Sequence, residues 1–171
     1  MATPTTLPAA FVAGDVLTAA QMNDLRGAFR VLQVVFGQTS TPTTNSTNVA
    51  ADTGLTATIT PTSTTSKVLV ILNQNGVYKS PDNSSNGVTI ALVRGATNIT
   101  FPAAGAGNTN TAIGNMVSVS ATYLDSPATT SATTYKTQFY NTLVNGAAVG
   151  VQTSIGAGAP ASYMVLMEIS A

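Results

Sequence analysis

The chain has 171 residues, enough for one domain with an appendage, and six basic residues balance six acidic ones for a formal net charge of zero. Charges make up only 7 % of it, and Lys67, Lys79, Lys136, Arg26, Arg30 and Arg94 are spread too thinly to form a basic surface, which excludes nucleic acid and anionic membrane as expected partners. With no histidine and no cysteine, the commonest general base, the commonest transition-metal ligand, the thiol nucleophile and disulfide staples are missing, and a near-neutral, 44 % apolar chain is expected to hide surface in an assembly instead.

Residues 1–16 hold Pro4, Pro8 and Gly14 with apolar Leu7, Phe11, Val12 and Val16 between them, a pattern that predicts an extended arm docked on another surface. A helix is predicted for residues 17–37, because Met22, Leu25, Phe29, Leu32 and Phe36 fall at heptad spacing. Thr18 is placed to cap it, Gln21 completes a capping box, Leu17 and Met22 form a hydrophobic staple, and Gly37 ends it. Such a stripe also suits a helix packed on its own domain. The flanking Val31, Val34 and Val35 and the two phenylalanines in the seam favour self-association, as a trimer first, although Gly27 weakens the helix. Leu17, Met22, Leu25, Phe29, Leu32 and Phe36 are therefore the expected oligomerisation residues. Residues 38–54, rich in Ser and Thr, are expected to be a linker.

From residue 55 to 171 short β-type segments alternate with turn signals, which predicts an antiparallel β-sandwich. The expected strands are Leu55 to Thr60, Lys67 to Asn73, Val88 to Arg94, Asn98 to Phe101, Met116 to Tyr123, Thr134 to Asn141, Ala148 to Gln152 and Tyr163 to Ile169. Asn-Gly pairs at 75–76, 86–87 and 145–146 predict turns. Residues 68–72 and 164–167 are apolar at every position, as expected of central strands covered on both sides or lying at a subunit interface. Residues 103–114 are the longest stretch without a clear element.

Little of the sequence carries chemistry. Asp15, Asp24, Asp52, Asp82, Asp125 and Glu168 are scattered singly, so a carboxylate pair would have to be assembled by the fold from the last four. Glu168 is expected at a strand edge or paired with Lys or Arg. Asp82 to Gly87 begins like a calcium loop, but its twelfth position is Val93 and a hairpin loop is the better reading. Sequons at Asn45, Asn83 and Asn98 read as coincidence in a chain this rich in Asn and Thr. Tyr78, Tyr123, Tyr135 and Tyr140 are candidate stacking faces for a ligand, each more simply explained by packing. No catalytic residue, metal or cofactor is expected. No run reaches the 18 apolar residues of a membrane span, and the absence of a basic and apolar leader predicts synthesis and folding in a cytoplasm.

Phe11-Val12-Ala13-Gly14-Asp15-Val16-Leu17-Thr18-Ala19-Ala20-Gln21-Met22-Asn23 resembles an N-terminal motif, aromatic then A-G-D-x-L-T-A-A-x-x-N, of short tail-fibre and minor structural proteins of tailed bacteriophages. The second half is similar in style to the small β-sandwich knobs attached to such motifs, in segments such as Ser66 to Val70, Ala91 to Gly95 and Met164 to Ile169. The order of these segments also resembles the jelly roll of trimeric C1q- or tumour-necrosis-factor-like heads, an analogy of pattern and not of motif. The resemblance implies a virion protein assembled in the host bacterial cytoplasm, a homotrimer gripping other virion proteins of tail or capsid through Leu7, Phe11, Gly14, Asp15 and Thr18. A fibre knob, a capsid decoration or head-spike protein, and a module binding host surface glycan or another receptor all remain open. Neither nucleic acid nor membrane insertion is implied.

Overall fold

The computed structural model describes residue 16, residues 30–143 and residues 145–170. Among them lie ten β-strands and no helix. The strands are β1 (Val31–Thr39), β2 (Thr43–Asn45), β3 (Ala51–Ile59), β4 (Lys67–Lys79), β5 (Val88–Arg94), β6 (Thr97–Ala106), β7 (Asn115–Asp125), β8 (Thr133–Asn141), β9 (Val149–Val151) and β10 (Ser162–Ile169). All pairings are antiparallel. One sheet runs β1-β10-β4, with β7 on the far side of β4 and the short β9 and β2 continuing beside its upper end; the other runs β3-β8-β5-β6. Four of the pairs are nested along the chain: β1 with β10, β3 with β8, β4 with β7, β5 with β6.

Each of the eight expected strands has a counterpart. Alternation does the work: in β3 every second residue from Thr53 to Ile59 is buried, and Thr133 to Asn141 in β8 alternates without interruption. The inward side chains of both sheets make two clusters, one around Leu55, Ile59, Val70, Leu92, Tyr135 and Leu166, the other around Val77, Ile90, Phe139 and Val151. A buried polar chain also links the sheets. Thr53 Oγ1 donates to Thr137 Oγ1 (2.6 Å), Thr137 Oγ1 to Gln74 Oε1 (2.9 Å), and Gln74 Nε2 to Ser162 Oγ (3.0 Å). Ser162 in turn bonds Gln152 (2.8 Å), whose amide is oriented to donate to the carbonyls of Thr41 and Thr53.

Three expectations are corrected here. The second half of the predicted helix is strand: Leu32 and Phe36 belong to β1, and Gly37 lies inside it rather than ending a helix. Val31, Val34 and Val35 suit a pleated strand, and pairing with β10 supplies backbone partners along its length. A Cβ at Gly37 would collide with the Thr56 carbonyl, so glycine lets β1 cross close over β3. Residues 17–29, and with them Leu17, Met22, Leu25 and Phe29, lie outside the described residues. The 38–54 linker contains β2 and the start of β3. Asn75-Gly76 is no hairpin turn; it is a bulge within β4, where Gly76 takes φ +58° and the register to β7 shifts between Gln74 and Val77.

The strand directions give the molecule two ends. At one end Arg30 and Ser170 meet, Arg30 N donating to Ser170 Oγ (3.0 Å) and Ser170 N to Arg30 O (2.9 Å), beside the connections 60–66 and 126–132. At the other end lie 46–50, 80–87, 107–114 and the β8–β9 connection.

Candidate functional site

Register places the outward side chains of the six-stranded sheet in rows. Val34, Met167, Leu69 and Leu124 form one row across β1, β10, β4 and β7; Phe36, Val165, Ile71 and Thr122 form the next; Gln38, Tyr163, Asn73 and Ser120 form the third. Their neighbours in sequence, Val68, Val70, Leu72, Met164 and Leu166, are the buried inner face. Residues 68–72 and 164–167 are therefore apolar on both sides, although among the described residues only the inner side is covered. Phe36 is 58 % exposed, Val34 57 %, Leu124 57 % and Tyr163 42 %. These rows contain no charged side chain; Lys67, at the rim, donates through Nζ to Ser126 Oγ (2.8 Å).

A shallow depression of about 350 Å³ sits on this face, lined by Ile71, Asn73, Ser120, Thr122, Tyr163 and Val165 among others. Asn73, one of the lining residues, has its Oδ1 buried with no hydrogen-bond partner. Sequence reasoning missed Asn73 and Tyr163 as site residues; the signal available was the uniform apolarity of 68–72 and 164–167, which pointed to a second contact without saying where.

The titratable groups are engaged one by one. Glu168 in β10 is fully buried, neither at an edge nor beside Lys or Arg: its carboxylate accepts from Gln33 Nε2 (2.6 Å), Thr62 N (2.7 Å) and Thr62 Oγ1 (2.7 Å). Burial pushes this carboxyl up, but the donors of Gln33, Ser66 and Thr62 outweigh it and leave it lowered to about 2. Arg94 Nη1 bonds both oxygens of Asp125 (2.9 and 2.7 Å), and Tyr135 donates its hydroxyl to the same carboxylate (2.6 Å). Burial, then the neighbouring Asp125, raises the Tyr135 phenol far above its usual range. For Arg94, burial opposes the charge, and the Asp125 carboxylate more than offsets it, so the guanidinium is held still more firmly protonated. Asp52 accepts from Lys136 Nζ (2.9 Å) and Gln138 Nε2 (2.7 Å), and the Lys136 bond is the main reason its carboxyl sits below the usual range. Asp82 accepts from Ser80 Oγ (2.6 Å).

The Asp82–Gly87 segment joins β4 in one sheet to β5 in the other, so it is a crossing between sheets and not a hairpin. Its carbonyls at Asn83 and Ser84 already accept a cation from the chain: the fully buried Lys79 donates through Nζ to them (3.0 and 3.2 Å) and to Thr111 O (2.8 Å). Among the described residues no three His, Cys, Asp or Glu side chains are grouped as a metal site. Of the candidate stacking tyrosines, Tyr135 is buried in the core and Tyr123 packs against the same cluster. Tyr78 stands against Gly114. Of the expected oligomerisation residues, Leu32 and Phe36 lie on exposed positions of β1, while Leu7, Phe11, Gly14, Asp15 and Thr18 of the expected attachment segment are outside the described residues.

No protein-family model matches this chain, and no curated protein does. Among the described residues, then, the uncovered apolar face is the strongest functional feature. Its chemistry is contact: it can gain free energy by excluding water, and it holds no group placed to move a proton or bind an ion.

Proposed function

We propose that this chain is a non-enzymatic structural subunit that works by self-association, as a homotrimeric external knob of a tailed-phage particle anchored through its first 30 or so residues. The observation that carries the reading is the uncharged apolar outer face of the six-stranded sheet. Burying apolar area contributes roughly 25 cal/mol per Å², and a chain of zero net charge has little else to keep such a face in water. The nested pairing of β1 with β10, β3 with β8, β4 with β7 and β5 with β6 supports a sandwich of the jelly-roll type. The phage assignment rests on the resemblance at residues 11–23 together with this composition.

A second reading has an observation in its favour. The loops at the end far from Arg30 are held by the buried Lys79, by Asn86 Nδ2 donating to Ala148 O (3.3 Å), and by Asn108 Nδ2 donating to Ser85 O (2.8 Å). Ordered, Asn- and Thr-rich loops of low charge opposite the attached end suit contact with a host glycan.

The test is the native mass of the full chain by light scattering on an eluting peak. Three times the 17.3 kDa chain mass is the expected result; a mass of one chain at every concentration would remove the self-association reading.

A further inference from the structure

The pairing of edge strand β6 with β5 slips in register at three places, between Val88 and Ile90, Ile90 and Leu92, and Leu92 and Val93. Ile90 pairs with Ala103 and Leu92 with Thr100, so three steps on β6 oppose two on β5, and the extra residue falls at Phe101-Pro102. Ile99 and Ala103 on either side pack inward on the two core clusters. Thr100 lies opposite the buried Leu92, so Phe101 after it falls on the outward side, where it is 52 % exposed. An aromatic ring is thereby left in water, on a strand with no charged residue from Thr97 to Ala106.

The depression on the six-stranded sheet has room for such a ring. A cavity of about 150 Å³ is enough for a benzene-sized group, so about 350 Å³ admits a phenyl ring with room for its flanks. Two copies meeting face to face would set depression against depression and fill neither. A head-to-tail contact fills it. Four strands spaced about 4.8 Å and eight residues at about 3.4 Å each give a face of roughly 500 Å². Matched by equal area from a second copy, that reaches the roughly 1,000 Å² which a specific interface requires. Neither surface carries a charge that the contact would strand.

We propose that Phe101 of one copy seats in the depression beside Tyr163 and Val165 of the next, a heterologous contact that repeats around a closed ring. The proposal deepens the self-association reading and rests on it.

The experiment uses the full chain, its mass followed by light scattering on dilution. Phe101→Ser is expected to raise the concentration at which the assembly dissociates by roughly 30-fold, the loss of a central aromatic anchor, while Phe101→Leu stays within a few-fold of the parent. Because the chain has no cysteine, a Phe101→Cys/Val165→Cys double variant treated with a short bis-maleimide is expected to give covalently joined chains of two and three, and each single variant none. A Phe101→Ser variant that dissociates like the parent, or a double variant joined only within one chain, overturns the seat while leaving self-association standing. A parent chain that is a monomer throughout overturns both.

Discussion

On the four-stranded sheet the outward positions carry Asp52, Thr56 and Thr58 from β3 and Thr134, Lys136 and Gln138 from β8, tied to one another by the Lys136–Asp52 pair and the Thr58–Thr134 hydroxyl bond. On the six-stranded sheet the corresponding positions carry Val34, Phe36, Leu69, Ile71, Val165 and Met167. The inward faces of the two sheets are alike in being filled with Leu and Val side chains at zero or near-zero exposure, to which the four-stranded sheet adds Ile59, Ile90, Tyr135 and Phe139. Among the described residues nothing covers the apolar outer face. Under the self-association proposed above, the two faces separate what this sequence needs in order to fold from what it needs in order to assemble.

The inner and outer sides of one strand give the largest contrast. Leu166, fully buried in β10, is expected to cost about 3 kcal/mol of unfolding free energy when changed to Ala, from lost transfer energy and the cavity left behind. Its neighbour Val165 faces outward, and Val165→Thr is expected to cost under about 1 kcal/mol in urea unfolding at the lowest workable concentration while weakening assembly. Equal losses at the two positions would erase the distinction between folding face and contact face.

Glu168 sharpens the inner side. Its folded carboxyl is lowered to about 2 against an ordinary value near 4.3, so the unfolded chain takes up its proton first as pH falls. The stabilisation is therefore complete above about pH 4.5 and drains away between there and about pH 2. Glu168→Gln is expected to cost about 2 kcal/mol at neutral pH, because an amide NH₂ would face the donors of Gln33 and Thr62, and to flatten the acid limb of the stability curve. An acid limb unchanged in the variant would assign that limb to other carboxylates. Tyr135→Phe comes next, at about 1 kcal/mol by thermal or urea unfolding: it removes one donor from Asp125, which keeps the two contacts from Arg94.

The β segments were legible because short β-type runs bounded by turn signals are a local pattern, and each of the eight expected strands has a counterpart. The misread helix shows the limit of that signal. Leu32 and Phe36 are four apart, a spacing that satisfies a helical stripe and one face of a strand equally; the choice for 31–39 was made by β10, 130 or so residues away. Asn75-Gly76 has the composition of a turn, yet the long β4 runs through it, because a single residue at positive φ is as good for a bulge as for a hairpin. The site was half legible. Uniform apolarity at 68–72 and 164–167 announced a second buried side, but the row that brings Phe36, Val165 and Ile71 together depends on pairing order, and the outward side of Phe101 depends on its register against β5. Glu168 likewise reads as an ordinary strand carboxylate until Gln33 and Thr62 are placed beside it.

The smallest effect belongs to the polar outer face, and it tests the comparison from that side. Lys136 Nζ lies 2.8 Å from the Asp52 carboxylate, with the Asp52 side chain 55 % exposed, so water screens the pair and holding two long side chains together opposes it. Lys136→Met is expected to change the unfolding free energy by less than about 0.5 kcal/mol and to leave the native mass unaltered. The same variant should move the Asp52 titration upward, toward the ordinary carboxylate range, because the Lys136 bond is the main influence holding it down. The sign is the usual one for a depressed acid: what little stability the pair adds is present above the ordinary pKa and lost as pH falls below it. A small upward shift, a correspondingly small loss of stability and no change in mass are what a solvated face predicts. A change in mass would mean that the four-stranded sheet also meets a neighbour, and the division between a folding surface and an assembling surface would have to be redrawn around β3 and β8.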